Sequence, residues 1–573
     1  MIEKVYGLSK VILEHGTELP DYMRMVQSPA SEEGIVIKVD LDEEKYTGIT
    51  PFKYVPELLF VSQKGQERGK SPTLNLVFSS QEKKDQDKLE GKIEKVLQRI
   101  KSFFDDNRLR DIHQILVKNK AAIKDDIVNY AKHTGYKNLF VSVIVKKEGR
   151  ELKPADMEKV IEVFKERKIE GVDKTGKSKA KKGICFFCGR VANVAPRVSE
   201  VFKFATFDKP GFTVGLSKNA EDILNICEDC FVKLMEIRNY INETLSASFF
   251  GDTLWIIPSG LKEEAKKFLD EIKDFTIENT KEEKSVRKNF AKLERTFEEF
   301  LAERSSVTYD FLILSISNNE EKILLHITEV SPTRIRKMIK ISNALKQDLG
   351  ERYDPTLENY RVVFNPPKSR NSGKTAFYKL VKAIYSGSPF SKEVFLGYLM
   401  RWIRSRVLSD GTMKSLVFHG RMGFSLLVFL MRLGVIQGGV SMKDSTCNER
   451  SYFESYRDFF DADWKKAVFM LGVLTGILME HQEEERGKSP FLKKLRGLKM
   501  NKNEVLALLP ELKLKFVQYG VEDERIKKLM EQTSRWIVSA GNWNASIDEI
   551  NMIFTVGISL HNKFYRRDEN EKE

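Results

Sequence analysis

The chain has 573 residues, of which 41% are hydrophobic and 10% aromatic, and this composition excludes a chain that is disordered throughout. Lys and Arg outnumber Asp and Glu by 96 to 83, and the formal net charge of +13 favours an anionic partner. The N-terminus lacks the apolar block of a signal peptide, and the strongest apolar runs are shorter than the ~20 residues of a membrane span, so we expect a soluble intracellular protein.

The first 165 residues predict an α/β domain. Three short, mainly apolar runs are typical of strands: 34–40, 73–78 and 139–145. A helix is predicted at 85–104, because Leu89, Ile93 and Val96 recur on one face. Residues 64–72, KGQERGKSP, combine three basic side chains with two glycines and a proline, which is typical of a mobile basic loop.

The next stretch, 165–182, is basic and ends in KSKAKK. Its composition predicts a polar linker that does not pack against the domains beside it. The linker could contact phosphate groups, and a simple solvated tether is the alternative.

Four of the five cysteines form two C-x2-C pairs, Cys185 with Cys188 and Cys227 with Cys230, and 38 residues without cysteine separate the pairs. Two thiolates three positions apart can face one ion, so two such pairs predict a tetrahedral zinc site with Zn–S distances of about 2.3 Å. An all-thiolate site has no open position for substrate, which indicates a structural role. Two disulfides or four unrelated thiols are the alternatives, but no signal peptide directs the chain to an oxidising compartment.

Strands and helices alternate after the second cysteine pair, which predicts a middle α+β domain. We expect strands at 254–257, 311–317, 323–330 and 362–364. A helix is expected at 286–301, where Phe290, Leu293 and Phe297 share one face.

From Lys374 onward the pattern predicts only helices, packed as one or two bundles. The two strongest apolar runs, 422–436 and 467–479, are expected to be buried helices rather than membrane spans. In the second run Gly472 and Gly476 lie four residues apart, a spacing that brings helix backbones close together.

The positive charge is concentrated between Arg361 and Arg450, where fifteen Lys and Arg accompany four Asp and Glu. Aromatic side chains are interleaved with these charges: Tyr378, Tyr385, Phe390, Tyr398 and Trp402. Such a segment can follow a phosphate backbone and stack on exposed bases. The alternative is that the aromatic side chains belong to the core and the charges to a solvated helix face. The candidate nucleic-acid-binding residues, here and in the loop at 64–72, are Lys64, Arg68, Lys70, Lys368, Arg370, Lys374, Arg401, Arg404, Arg406 and Arg421.

Catalytic motifs are few. The seven histidines are scattered, and none forms an H-x-x-x-H, H-E-x-x-H or His-Asp pattern. Gly373, Lys374 and Thr375 match the end of a phosphate-binding loop, but Lys368 stands where the first glycine of that loop is required. We assign no catalytic residue, and a nuclease site built from dispersed Asp and Glu stays an alternative.

The zinc block contains three short motifs: GICFFCGR at 183–190, FATFDKPGF at 204–212 and ICEDC at 226–230. With these motifs the chain resembles the large subunit of type I-B CRISPR Cascade complexes. The order of an α/β N-terminal half, a zinc block and a helical C-terminus is similar to that family over essentially the whole chain.

The resemblance implies a non-catalytic, DNA-binding subunit of an RNA-guided antiviral complex in the prokaryotic cytoplasm. Such a subunit reads the protospacer-adjacent motif, helps to unwind the target DNA, stabilises the R-loop and recruits a separate helicase-nuclease. The implied partners are target double-stranded DNA, the guide RNA, and the backbone, guide-end and small subunits of the complex. The competing hypotheses are a zinc-stapled, metal-dependent nuclease and a zinc-ribbon RNA-binding protein outside CRISPR systems.

We therefore expect a multidomain α+β protein with one structural zinc ion. Its segments are an N-terminal α/β domain at 1–165, a basic linker and four-cysteine zinc block at 166–245, a mixed α+β domain at 246–373, a basic helical segment at 374–441 and an all-α bundle at 442–573. The resemblance also implies that the last segment is made separately as a small subunit, with Met442 as the internal start and Met431 and Met470 as competitors.

Overall fold

The computed structural model describes residues 2–12, 23, 26, 29, 31–59, 70–79, 85–136, 138–170, 180–205, 224–260, 262–280, 290–304, 306–317, 320–364, 373–437 and 449–565. The chain divides into two compact units. The first unit comprises Met1–Ala247, Gly251–Arg287 and Leu312–Leu324, and the second comprises Ser248–Phe250, Lys288–Phe311 and Leu325–Glu573.

The first unit contains a five-stranded sheet. Its strands are β1 (Glu33–Asp40), β2 (Lys45–Lys53), β3 (Leu74–Val77), β4 (Asn138–Lys147) and β5 (Arg150–Leu152). The order is β2-β1-β4-β3, with β5 on β4; β1 and β4 run parallel and the other pairs are antiparallel. The central strands carry buried β-branched and aromatic side chains such as Val36 and Phe140, which suit a pleated surface covered on both sides. The three strands predicted in this region are confirmed.

The described residues of the first unit form the helices α1 (Ile2–Ile12), α2 (Gln86–Phe104), α3 (Arg110–Lys118), α4 (Lys120–His133), α5 (Glu158–Lys165), α6 (Val198–Val201), α7 (Glu228–Thr244) and α8 (Lys262–Thr280). Helix α2 is the helix predicted at 85–104. Asp85 caps it by accepting a hydrogen bond from the backbone N–H of Lys88 at 3.3 Å, and its apolar face, which includes Leu89 and Ile93, is buried.

The predicted linker at 165–182 is packed at its start. Glu166–Glu170 forms a π-helical turn, and Arg167 within it is buried. The Arg167 guanidinium donates to the main-chain oxygen of Phe103 at 2.8 Å. The prediction of a solvated linker is wrong for this part. The Arg167 guanidinium can be buried because carbonyl groups at the C-terminal end of α2 accept its hydrogen bonds, and amino-acid composition does not reveal such partners. Residues 171–179 lie outside the described residues.

A second sheet consists of β9 (Ser246–Phe249), β10 (Asp252–Ser259), β11 (Thr308–Ser317) and β12 (Glu320–Val330), in the order β12-β11-β10-β9. The predicted strands at 254–257, 311–317 and 323–330 are confirmed as parts of β10, β11 and β12. The strand predicted at 362–364 is wrong, because these residues end a helix, Leu357–Phe364, whose Tyr360 and Phe364 are buried. Three consecutive apolar residues fit a buried strand and a buried helical turn equally well.

In the second unit the part of the chain that the structure describes forms the helices α9 (Phe290–Ala302), α10 (Pro332–Leu349), α11 (Leu357–Phe364), α12 (Lys374–Ser386), α13 (Lys392–Asp410), α14 (Met413–Arg432), α15 (Glu449–Ser455), α16 (Asp463–Arg486), α17 (Lys502–Leu506), α18 (Leu508–Tyr519), α19 (Glu524–Ala540) and α20 (Ile547–Phe564). The described residues from 373 to 565 contain no strand, so the prediction of a helical C-terminal region is confirmed for them. The helix predicted at 286–301 is confirmed from residue 290 onward.

Helices α16 and α20 form the centre of the second unit and touch backbone to backbone. A Cβ atom at Gly472 would overlap the carbonyl oxygen of Phe554 and lie 3.0 Å from the Cα of Gly557. A Cβ atom at Gly476 would lie 2.8 Å from the Cβ of His561. The predicted role of the two glycines in α16 is confirmed, since any side chain there would separate the helices. Thirteen of the eighteen residues of α20 are buried, and the helix also packs against α13 and α14.

Helix α14 is long and strongly apolar. Among the described residues it alone is long and apolar enough to cross a membrane, but 72% of its most apolar window is buried inside the fold. Such burial is typical of a core helix, and α14 together with α16 confirms the prediction that the two strongest apolar runs are buried helices.

Candidate metal centre and basic surface

The first cysteine pair lies in the turn of a hairpin. Strands β6 (Lys181–Ile184) and β7 (Val191–Ala195) pair antiparallel, and Cys185 and Cys188 lie between them. The backbone N–H of Cys185 donates to the oxygen of Arg190, and the N–H of Gly189 donates to the oxygen of Cys185, both at 2.9 Å. Gly189 has a φ of +70°, a left-handed conformation that suits glycine and lets the turn fold back on itself. Both sulfur atoms of the pair therefore face one point.

The second pair lies where a strand becomes a helix. Strand β8 (Ile226–Cys227) pairs with β7, with Cys227 opposite Val194, and α7 begins at the next residue. Cys230 follows in the first turn of α7, one helical turn from Cys227. The backbone N–H of Cys227 donates to the sulfur of Cys185 at 3.4 Å, so β7 and this bond bring the second pair beside the first.

The four sulfur atoms lie within 4.8 Å of one another, and those of Cys188 and Cys227 are 3.8 Å apart. Two sulfurs held at about 2.3 Å from one tetrahedral ion are separated by about 3.8 Å, whereas a disulfide requires about 2.05 Å. All four cysteines are free thiols, so the alternatives of two disulfides and of unrelated thiols do not describe this structure. The cluster fits one soft, four-coordinate metal ion.

The thiols differ in how easily they lose a proton. Burial raises the pKa of Cys227 to about 11 and also raises that of Cys230. Burial opposes ionisation of Cys188 as well, but the backbone N–H and the guanidinium of Arg190 lower the pKa of Cys188 to about 6. A bound cation stabilises all thiolates together, so metal uptake would release protons from this cluster.

The hypothesis of a nuclease needs a cluster of carboxylates that could hold a metal ion. Among the described residues, the cysteine cluster is the only group of three or more His, Cys, Asp or Glu side chains close enough to share an ion. The buried acids of α9 are instead bonded to protein groups. Glu298 accepts hydrogen bonds from Arg295 at 2.6 Å and from the Tyr385 hydroxyl at 3.0 Å, and Glu294 accepts from the backbone N–H of Leu357 at 2.9 Å.

Replacing Glu294 with Gln is expected to stabilise the second unit at neutral pH. Burial and the neighbouring Glu298 raise the pKa of Glu294 well above its ordinary value. A carboxyl whose pKa is raised in the folded state opposes folding when it ionises. The resulting loss of folding stability is therefore absent well below pH ~4 and grows as the pH rises above ~4.3. Thermal melting between pH 4 and pH 8 should show a flatter profile for Glu294→Gln. Glu299→Gln, at an exposed position of the same helix, should melt like the wild type, and equal profiles for all three proteins would contradict this account.

The basic candidates have different surroundings. Lys64, Arg68, Lys368 and Arg370 lie outside the described residues. Arg401 is exposed, with its guanidinium 5.4 Å from the centre of the Tyr398 ring.

Arg404 and Arg421 are bonded inside the helical bundle. The Arg404 guanidinium lies 2.7 Å from a carboxylate oxygen of Asp548 and donates to the main-chain oxygen of Leu498 at 2.8 Å. Arg421 donates to the main-chain oxygen of Ser559 and to the side chain of Asn562. Both side chains therefore connect helices in this structure.

The remaining candidates are partly exposed. Lys70 lies 4.0 Å from Glu200, and the Lys374 ammonium lies 5.7 Å from the centre of the Tyr378 ring. Arg406 is half-buried near the C-terminal end of α13. Of the six candidates that the structure describes, Arg404 and Arg421 are bonded between helices and the other four are at least partly exposed.

The aromatic side chains of the basic segment mostly belong to the core. Tyr378, Tyr385 and Trp402 are buried, with at most 5% of each exposed, whereas Phe390 and Tyr398 are half-buried. For these three residues the structure supports the alternative, in which the aromatic side chains belong to the core and do not stack on bases. Neighbouring helix positions point about 100° apart, so one of two adjacent residues can be buried while the other is exposed, as Trp402 and Arg401 are.

The sequence carried no signal for one contact of the metal centre. The hydroxyl of Tyr6 in α1 lies 3.4 Å from the sulfur of Cys230, although 224 residues separate them along the chain. Only tertiary structure, in which α1 packs against α7, reveals this neighbour.

Two family models match the chain. The model for the central domain of CRISPR-associated protein TM1802 matches residues 182–330, and the model for its C-terminal domain matches residues 355–572. Together the matches cover more than half of the chain. This protein belongs to the TM1802 family of CRISPR-associated proteins.

The central TM1802 match begins in the β6–β7 hairpin and includes all four cysteines, and the C-terminal match extends from just before α11 to beyond the end of α20. A search of curated proteins finds no match for this chain. The resemblance to a CRISPR-associated protein is confirmed at the level of the family, and the family supports a large subunit of a CRISPR complex.

Proposed function

We propose that this protein is the DNA-binding large subunit of a type I-B RNA-guided surveillance complex. Membership of the TM1802 family through both its central and its C-terminal domain is the observation that carries the proposal. The subunit would read the protospacer-adjacent motif, help to unwind the target, stabilise the R-loop and recruit the helicase-nuclease, without a catalytic site of its own. Its partners would be the target duplex, the guide RNA and the other subunits of the complex.

The metal centre would hold one zinc ion as a structural element. Four thiolates suit Zn2+, and their spacing matches a closed tetrahedral site. The cysteines would supply all four ligands, which leaves no position for a reactive water. When bound, the ion would join the β6–β7 hairpin to the start of α7.

Complexes assembled with and without this subunit test the proposal. We expect the complete complex to bind a target duplex only when the adjacent motif is present, and the complex lacking this subunit to lose that dependence. Motif-dependent binding without the subunit would exclude the proposed role. Incubating the isolated protein with DNA and Mg2+ or Mn2+ tests the nuclease hypothesis, because cleavage that tracks the protein would favour an enzyme.

Replacing Arg401 and Arg406 with Ala is expected to weaken DNA binding by the complex. Each phosphate contact contributes about 0.9 to the slope of log affinity against log salt, so the slope should become less steep by up to about two. Arg404→Ala is the matched control on the same helix. Since Arg404 is bonded to Asp548 and Leu498, its removal should instead lower the melting temperature, with a cost of about 1–3 kcal/mol. An unchanged salt slope in the double variant would show that these two residues do not contact DNA.

A separate small subunit starting near residue 442 is part of the same proposal. Met442 lies outside the described residues, whereas Met431 lies in α14 and Met470 in α16. In the full chain α20 packs against α13 and α14, with Lys392 bonded to Glu549 across the interface. A product beginning at Met442 would expose that face of α20. Intact mass measurement of purified complexes decides the point, because absence of a short C-terminal product would exclude an internal start.

A further inference from the structure

Helix α1 lies directly against the cysteine cluster. Val5, Leu8 and Ser9 are buried, and α1 packs against α7, the helix that carries Cys230. Tyr6 is 7% exposed, and its ring stacks on that of Phe187 with centroids 4.7 Å apart. Phe187 lies between Cys185 and Cys188 in the hairpin turn, so Tyr6 touches both halves of the cluster.

The polar end of Tyr6 points at a metal ligand. Its hydroxyl oxygen lies 3.4 Å from the sulfur of Cys230. A metal-bound cysteine is a thiolate without a proton, so its sulfur can only accept, and the tyrosine hydroxyl must donate. Hydrogen bonds of this kind orient a ligand and adjust its basicity, and their loss typically costs 10–100-fold in metal affinity.

We propose that Tyr6 is a positioning residue of the metal centre and that bound metal holds α1 in place. The inference rests on the metal site proposed above. Binding is reciprocal: if docking of α1 through Tyr6 strengthens metal binding, bound metal strengthens the docking of α1 by the same factor. Metal occupancy at the hairpin would therefore control the order of a helix near the beginning of the chain.

Cobalt titration of the full-length protein tests the role of Tyr6. Co2+ replaces Zn2+ in thiolate sites and reports the ligand environment through its absorption spectrum. Tyr6→Phe keeps the ring on Phe187 and removes only the hydroxyl, so we expect about tenfold weaker cobalt binding and a shifted sulfur-to-cobalt band. Leu8→Ala is the matched control, because it loosens the packing of α1 without removing the hydrogen bond. It should leave the band where it lies in the wild type.

Hydrogen exchange tests the second half of the proposal. Amides of residues 2–12 should exchange faster in the wild type once a chelator has removed the metal, and this difference should shrink in Tyr6→Phe. Wild-type affinity and spectrum in Tyr6→Phe would overturn the role of Tyr6, and metal-independent exchange of α1 would overturn the coupling. If the wild type itself binds no cobalt, both the proposed metal site and the role of Tyr6 are contradicted. That outcome differs from normal cobalt binding by both proteins, which contradicts only the role of Tyr6.

Discussion

Cys227→Ser is expected to release the metal ion and to disorder the three-stranded sheet β6–β7–β8. Cys227 ends β8, its N–H bonds to Cys185, and its sulfur lies 3.8 Å from that of Cys188. Structural zinc supplies roughly 10–16 kcal/mol of apparent binding free energy in small zinc-binding peptides, so losing a ligand should remove a large part of the stability of this region. Metal content by mass spectrometry should fall from about one ion per chain to nearly none. Limited proteolysis should then cut within 181–195.

The fifth cysteine of the chain supplies the control. Cys447 lies outside the described residues and is not part of the two C-x2-C pairs. Cys447→Ser makes the same chemical change and should keep one ion per chain and the wild-type proteolysis pattern. Full metal content in Cys227→Ser would show that the four thiolates do not bind the ion jointly.

Gly472→Ala is expected to destabilise the helical second unit by about 2–3 kcal/mol, although Ala ordinarily favours a helix over Gly by about 1 kcal/mol. The added methyl group would overlap the carbonyl oxygen of Phe554, which is backbone and cannot rotate away. Helices α16 and α20 would have to move apart, and the buried side chains along both would lose contacts. Thermal or urea unfolding, followed by circular dichroism, should show the loss.

Gly397→Ala is the matched control in the same unit. Gly397 lies in α13, and a Cβ atom there would meet only a carboxylate oxygen of Asp548, at 4.0 Å. This substitution should leave stability unchanged or raise it slightly, because helix propensity improves without a clash. Equal stability of the two variants would mean that a methyl group at position 472 does not force α16 and α20 apart.

Local sequence pattern predicted the elements whose patterns are long or strongly biased. Strand β4 is rich in β-branched residues, and α2 repeats apolar residues on one face, so each was recognised without its neighbours. Strand β2 was missed, since KYTGITPFK contains Gly and Pro and its side chains are mostly partly exposed. It is an edge strand paired only with β1 within the described sheet, and this antiparallel pairing with the preceding strand decides its conformation.

The metal centre was easier to predict than the basic surface because its chemistry is local. Two cysteines three positions apart converge on one ion in almost any tight turn, so spacing alone identified Cys185 and Cys188. A charge pattern carries no such constraint. Arg401 and Arg404 look equivalent in the sequence, yet the first is exposed and the second is bonded to Asp548. Sequence reasoning could not identify Tyr6, because its role depends on a contact with Cys230, which lies 224 residues away along the chain.

The central position of α20 has a consequence for synthesis of the chain. The apolar faces of α13, α14 and α16 are completed by α20, which is translated after all three. At about 5–20 residues per second, the ribosome needs roughly 4–16 s to pass from the end of α16 to the end of α20. During that time the nascent bundle presents an open apolar groove. Chains stalled before α20 are therefore expected to be bound by chaperones or to aggregate.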